Sequence, residues 1–406
     1  MKILVLSKKF PYPLREGEPI AISSLCRALQ AKGCVLDLLV LNTSKHFFDP
    51  AGLPSQFNFF RQIHSVKTDN HITWRGALAS LLKGESYILS RFRSEAFSQK
   101  LKALLAENDY DAVQLETLYM AHYIPDIRAG SRAIIAMRAH NVEHEIWQRY
   151  AELTPHWLKK WYLRLQNKSL RDFEKKQLRE YDLMIAITGR DLDVFHKMGY
   201  RNAAVTAPVG IDLDDYVPDY QCFDEKKISI AFIGALDWMP NQDGVVWFLD
   251  KVWPAVSAAF PKVEFHIAGK NTPDWLFRRA GGGVFVHGEV EDARRFINDH
   301  PIMVAPLFSG SGIKIKVLEG MALARAVITT PVGLEGIPAR KGEQVFVAET
   351  PQAFARQLVF CIENIPAIRD HGKMARHFIK THFDNMAIAE DVVRAYQRCL
   401  KDRATG

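Results

Sequence analysis

The chain has 406 residues, of which 48% are hydrophobic and 24% charged, with a net charge of +7. These are the proportions of a water-soluble globular protein with room for two ordinary domains, and the sequence has neither an internal repeat nor a low-complexity tract. No apolar run reaches the roughly 18 residues that span a bilayer, and five scattered cysteines without a CxxC pair give neither a disulfide framework nor a zinc knuckle, so a reducing cytosol is the simplest home.

The first ten residues, MKILVLSKKF, read as a buried strand at Ile3–Leu6 rather than a signal peptide, because the apolar stretch is too short. A long loop follows, with Gly17 just ahead of Pro19 at the start of a helix over Pro19–Ala31. Further strands are expected at Val35–Leu41, Ala112–Leu115, Ala133–Met137, Leu183–Ile187 and Ala204–Ala207, with a helix at Ser94–Glu107. Trp157 to Arg179 carries eight Lys/Arg and two acids, interleaved with Trp157, Trp161, Leu165 and Phe173. That pattern fits a solvated surface helix or a helix lying on an anionic leaflet. Nucleic acid is disfavoured, because no recognition motif accompanies the charge. The stretch PVGIDLDDYVPDYQCFDEKK, with its prolines and acids, reads as a linker.

Beyond it, strands are expected at Ile228–Ile233, Val263–Ala268, Val284–His287, Ile302–Ala305, Ala326–Thr330 and Gln344–Val347. Helices are expected at Gly244–Ala259, Asp292–Asp299, Ile313–Ala324 and Met386–Leu400. Strand–helix alternation with β-branched strands predicts parallel sheets covered on both faces, and here it occurs twice over. The predicted architecture is therefore α/β: doubly wound Rossmann-like domains at 1–207 and 228–383, a linker at 208–227, and a terminal helix, 384–406, that packs back on the first domain. The charge divides accordingly. Residues 1–207 hold 30 Lys+Arg against 21 Asp+Glu, and the remainder 23 against 25, so the first domain is the one suited to an anionic partner.

In such sheets ligands sit at the carboxyl ends of strands. SGSGIKIKVLEGM, Ser309 to Met321, follows a strand and opens a helix. Gly310 and Gly312 let backbone N–H groups approach a ligand, the helix start favours an anion, and Lys314 and Lys316 add charge. Glu319 is expected about two turns in, roughly 9–10 Å along the axis, a reach suited to a diphosphate at the helix start and a ribose beyond. In RAHNVEHE, His140 directly follows a strand. His140 to His144 also matches H-x-x-E-H, the inverted zinc-peptidase signature, which needs both histidines on one helical face. DLDD, Asp212 to Asp215, reads as a turn rather than a metal site.

These segments carry a resemblance. APLFSGSGIKIKVLEGMALARAVITTPVG, AFIGALDWMPNQDGVVWFL, VFVHGEVEDA, RAHNVEHEIW and PVGIDLDDY resemble, in order and over nearly the whole chain, the family-4 retaining glycosyltransferases of the GT-B fold, among them bacterial surface-polysaccharide enzymes. The resemblance implies two Rossmann-like domains facing across a cleft. It implies a UDP- or GDP-linked sugar as donor, a glycan or lipid-linked acceptor, no cofactor and no obligatory metal. Glu319 would hold the nucleotide ribose, and Ser311, Gly312, Ile313, Lys314 and Lys316 would surround the phosphates with Gly234 and Gly17. Gly288 and Val290 would approach the base. His140 and Glu319 are the residues implied in catalysis, with His140 at the donor sugar. Arg15 and Glu16 are candidates for touching the acceptor, and His144 is read as structural.

The chain departs from the pattern in four places. Gly17-Glu18 stands where the family usually has a glycine pair, so only Gly17 is carried over. Ser311 stands where the family often has a second Glu, and Ala235 and Pro240 stand where it often has Arg and Lys. Lys314 and Lys316, with Lys270 behind them, are the candidates to supply that missing charge at the leaving diphosphate. The expected protein is a cytoplasmic transferase resting on the inner face of a membrane. Two other readings share the fold: a nucleotide-sugar epimerase, for which only His140 is evident as an acid/base group, and a non-catalytic nucleotide- or glycan-binding subunit.

Overall fold

The computed structural model describes residues 1–13, 17–44, 47–71, 73, 76, 80, 84–309 and 312–405. The chain divides into two compact units, Met1–Gly210 with Ile388–Gly406, and Ile211–Ala387.

The first unit is a seven-stranded, all-parallel sheet in the order β3-β2-β1-β4-β5-β6-β7. Its strands are β1 (Lys2–Ser7), β2 (Val35–Thr43), β3 (Phe60–Thr68), β4 (Ala112–Glu116), β5 (Ile134–Ala139), β6 (Leu183–Ala186) and β7 (Ala203–Thr206). The α-helices longer than one turn are α1 (Gly17–Ala31), α2 (Glu95–Glu107), α3 (Ile124–Gly130), α4 (Glu143–Leu153), α5 (Trp157–Gln177) and α6 (Gly189–Met198). The central strands are apolar on both faces because helices cover both. One face packs against α2, α3 and Leu170 of α5. The other packs against α1 and against Ile388, Ala389, Val392, Tyr396 and Cys399, a single stripe of the terminal helix. β3 is absent from the sequence expectation for a physical reason. It is an edge strand with a polar alternation, exposing Arg61, Gln62 and Lys67, and it lacks the apolar run that marks a buried strand.

The second unit repeats the plan with six parallel strands in the order β10-β9-β8-β11-β12-β13. These are β8 (Ser229–Ile233), β9 (Glu264–Ala268), β10 (Val284–Gly288), β11 (Ile302–Ala305), β12 (Ala326–Thr329) and β13 (Phe346–Val347). The helices are α7 (Met239–Trp247), α8 (Trp253–Ala259), α9 (Ala293–Asn298), α10 (Ile315–Ala322), α11 (Pro351–Glu363), α12 (Ile365–His382) and α13 (Asn385–Thr405), the last running on into the first unit. α7 and α8 are joined by a π-helical turn, Phe248–Val252. Pro254 explains it, since a proline in the first turn of α8 has no N–H to offer the carbonyl four residues back.

The segment 208–227, read as a linker, divides at Gly210, and from Ile211 it belongs to the second unit. The buried guanidinium of Arg325 ties it there, donating to the Asp219 carbonyl at 2.7 Å and the Asn298 carbonyl at 3.1 Å. Asp212 of the DLDD turn accepts from Asn385 Nδ2 at 2.5 Å.

Candidate functional site

In each unit the strand order reverses beside the first strand, between β1 and β4 and between β8 and β11. At such a switch point the loops leaving the carboxyl ends part and open a crevice.

In the second unit Gly234 follows β8 and α10 follows β11. α10 begins at Ile315, two residues later than the sequence suggests, because Gly312 is left-handed (φ 76°) and Lys314 is extended. Glu319 is thus about one turn into the helix, roughly 6 Å at 1.5 Å per residue. It stands one turn on from Lys316, so both side chains share a face.

The Lys316 ammonium is 2.8 Å from Asn241 Oδ1 on α7 and 4.5 Å from the centre of the Phe232 ring. Asn241 is itself fixed, donating Nδ2 to the Ala235 carbonyl at 2.7 Å. Among the described residues no carboxylate pairs with Lys316. Burial pushes its pKa down to about 7, with the Glu319 carboxylate offsetting only part of the cost. Gly234 makes this placement feasible: a Cβ there would lie 2.3 Å from Lys316 Nζ and 2.9 Å from Asn241 Nδ2. Glu319 accepts from the Tyr216 hydroxyl at 2.8 Å. Burial pushes the Glu319 carboxyl up, and Tyr216, Lys316 and Arg294 pull it partly back. Lys316 and Glu319 are half-buried, so each keeps an opening to solvent.

The other expected donor-binding residues fall into different places. Lys314 turns away from Gly234, donating to the Gly312 carbonyl at 2.5 Å and lying 4.0 Å from Glu335. Lys270 is exposed and pairs with Glu289 at 3.4 Å. Ile313 and Val290 pack as half-buried flanks of the core. Gly288 closes β10, and its carbonyl accepts from the Gly269 N–H at 2.7 Å. β10 lies two strands from β8, so Gly288 and Gly234 end strands about 10 Å apart at the usual strand spacing. Ser311 and Gly310 lie outside the described residues.

In the first unit His140 follows β5, and its Nε2 is 2.7 Å from Glu116 Oε2 at the end of β4. His144 is buried on α4 with Nδ1 2.6 Å from Glu174 Oε2. α4 starts only at Glu143, so His140 is off the helix and each histidine is engaged by a different carboxylate. The two-histidine face of a zinc peptidase does not form. Among the described residues no three His, Cys, Asp or Glu gather as a metal would require. Gly17 opens α1, and a Cβ there would meet nothing within 4 Å. Arg15 and Glu16 lie outside the described residues.

Some residues of both crevices escaped the sequence reading. Lys8, just past β1, is 3.2 Å from Glu18 Oε2 and 4.0 Å above the Tyr119 ring. The Tyr119 hydroxyl donates to Glu143 Oε2 at 3.2 Å. Burial raises the Glu143 carboxyl to about 6, against the pull of Lys8. The signal for Lys8 was its position at a strand's carboxyl end. Asn241 and Tyr216 gave none, since their partners are 75 and 103 residues away.

Comparison with known proteins bears on the second unit first. Residues 227–364 match the model of the family described as Glycosyl transferases group 1. A 44.6 kDa protein of unknown function from the cps region of Klebsiella pneumoniae is 23% identical over 407 residues, 97% of this chain and 99% of the relative. Sucrose-phosphate synthase from Thermosynechococcus elongatus superposes with a TM-score of 0.67 at 16% identity, over 99% of this chain and 100% of that one. Anabaena HepE in complex with UDP gives 0.65 at 14% identity, over 98% and 100%. HepE in complex with UDP-glucose gives 0.61 at 14%, over 100% of both. These likenesses show the GT-B fold.

Proposed function

We propose that the protein is a retaining glycosyltransferase of family-4 type that moves a hexose from a nucleoside-diphosphate donor to a glycan or lipid-linked acceptor. The observation that carries this is the Lys316 ammonium seated against Gly234, with Glu319 one turn further along α10. It puts a cation beside the loop after β8, where Ala235 and Pro240 leave none, and a carboxylate where two ribose hydroxyls can donate. The UDP complexes of HepE favour a UDP-linked donor, and the Klebsiella relative's place in a cps region favours a polysaccharide product.

The second unit binds the nucleotide and the first takes the acceptor. Lys316 holds the diphosphate as negative charge builds on it during bond breaking. His140 contacts the donor sugar. Departure and attack take place on one face, with the diphosphate helping to deprotonate the acceptor hydroxyl. No metal or cofactor is required in this reading.

The first unit also carries a surface suited to an anionic leaflet on the inner face of a membrane. Leu153, Trp157 and Trp161 are 83%, 72% and 62% exposed at the junction of α4 and α5, beside Lys159, Lys160 and Arg164. Exposed indole rings ringed by cations match the chemistry of a lipid interface. Among the described residues no helix is long and apolar enough to cross a membrane.

The test is incubation with a panel of UDP- and GDP-sugars. Slow hydrolysis to free nucleoside diphosphate, with transfer to added glycan or lipid-linked acceptors, supports the reading. Conversion of one sugar to its epimer, or binding without turnover, contradicts it.

A further inference from the structure

We propose that Glu116 is a positioning residue for His140, and that a buried hydrogen-bond chain reaching the terminal helix α13 holds Glu116 in turn. The proposal rests on the transferase reading of His140.

Glu116 is wholly buried at the end of β4. Its two oxygens have different partners. Oε1 accepts from Gln114 Nε2 at 2.6 Å and lies 3.6 Å from the Arg138 guanidinium. Oε2 faces His140 Nε2 at 2.7 Å. Arg138 is in register with Glu116 across β4 and β5, and it donates to the Ala21 carbonyl of α1 at 2.8 Å. Gln114 is oriented from the far side: its Oε1 accepts from the Tyr396 hydroxyl of α13 at 2.7 Å. The Glu116 carboxylate, which only accepts, settles that the amide turns its N–H inward, and the Tyr396 hydroxyl holds the other end of the amide. Burial pushes the Glu116 carboxyl up, but Arg138, His140 and Gln114 more than offset this and keep it below its ordinary value.

Gln114 and Arg138 both face one oxygen of the buried carboxylate. The second oxygen goes to a ring at a strand end facing a crevice. An ionised carboxylate only accepts, so His140 must carry its proton on Nε2. In the neutral form of the ring Nδ1 keeps its lone pair, and among the described residues Nδ1 has no partner. In that form the ring offers a sugar hydroxyl an acceptor in a fixed direction. A buried carboxylate that fixes the tautomer of a working histidine is a recurring device.

The experiment is long-range ¹H–¹⁵N NMR of protein labelled at histidine, with the ring signals of residue 140 assigned by their loss in His140→Ala. The wild type is expected to show one tautomer, protonated at Nε2, and Glu116→Gln to lose it. With the nucleotide sugar identified by the transfer screen, Glu116→Gln is expected to lower kcat roughly 10–100-fold, with Kd for UDP or GDP unchanged and part of the rate restored in Glu116→Asp. Tyr396→Phe, which removes one hydroxyl and keeps the packing, should lower kcat by a smaller factor. An Nδ1-protonated ring in the wild type, or identical ring signals in Glu116→Gln, overturns the proposal. So does full turnover in Glu116→Gln when His140→Ala is inactive. Full turnover in His140→Ala would instead overturn the role given to His140, and the proposal with it.

Discussion

Lys316 and Asn241 meet at 2.8 Å across the switch point of the second sheet, in space that exists because residue 234 has no side chain. A lysine on a helix after one strand is thereby delivered to the loop after another. Gly234→Ala must displace the ammonium, since backbone cannot give by the amount a 2.3 Å contact demands. Gly234→Ala and Lys316→Met are each expected to weaken nucleoside diphosphate binding about 10- to 100-fold, the worth of a charge-assisted contact. The double variant should lose little more than either single one. Isothermal titration of all three checks this.

The second prediction concerns pH. Lys316 is held near a pKa of about 7 by burial. A lysine with a lowered pKa is ammonium below that value and neutral above it, and a bound diphosphate favours the ammonium. UDP or GDP affinity should therefore fall as pH rises above 7, by roughly tenfold by pH 9, with proton uptake on binding. In Lys316→Met the slope over that range should vanish. A wild-type affinity flat across that range counts against the assignment.

Glu319 and His140 should separate in kinetics. Glu319→Ala removes the proposed acceptor for the ribose and is expected chiefly to raise the donor KM, whereas His140→Ala is expected to lower kcat with nucleotide affinity kept. Tyr216→Phe frees Glu319 of its hydroxyl donor and should change donor affinity by a factor below about ten, the scale of one neutral hydrogen bond. Steady-state rates at varied donor concentration distinguish these cases.

Much of this was legible in the sequence, and the gaps have physical causes. Buried parallel strands announce themselves because both faces are apolar, so β1, β8 and β11 are readable at once. β3 is not, because Arg61, Gln62 and Lys67 on an edge strand look like a loop. Gly310–Glu319 is a local pattern and carried Lys316 and Glu319. Their partners Asn241 and Tyr216 come from distant segments brought near only by the sheet order. Lys314 and Lys316 are equivalent in sequence, and the helix start at Ile315, between them, turns them apart. Glu116 is silent for a related reason, since nothing local marks a carboxylate whose partners lie on β5 and α13.

Arg325 gives a stability prediction. It is fully buried, and besides Asp219 and Asn298 it donates to the Leu323 carbonyl at 2.7 Å. Arg325→Met fills the space but takes the guanidinium donors from those carbonyls, leaving the Asp219 carbonyl, among the described residues, only the Cys222 thiol at 3.7 Å. Chemical denaturation should show a loss of about 2–4 kcal/mol, with the segment 211–227 more open to proteolysis.

The exposed rings of α5 predict binding to vesicles. Sedimentation with vesicles containing anionic lipid should retain the wild type, weaken with added salt, and fall about tenfold or more in the Trp157→Ala/Trp161→Ala double variant, given the apolar area of two indoles. Equal retention on neutral vesicles, or none on either, would remove the membrane from the account.

The most direct measurement is titration of UDP and GDP into the wild-type protein and into Lys316→Met and Glu319→Ala. One nucleotide per chain, bound by the wild type and weakened at least tenfold in both variants, is the predicted result. Wild-type protein that binds neither nucleotide, or variants that bind as tightly as wild type, would contradict it.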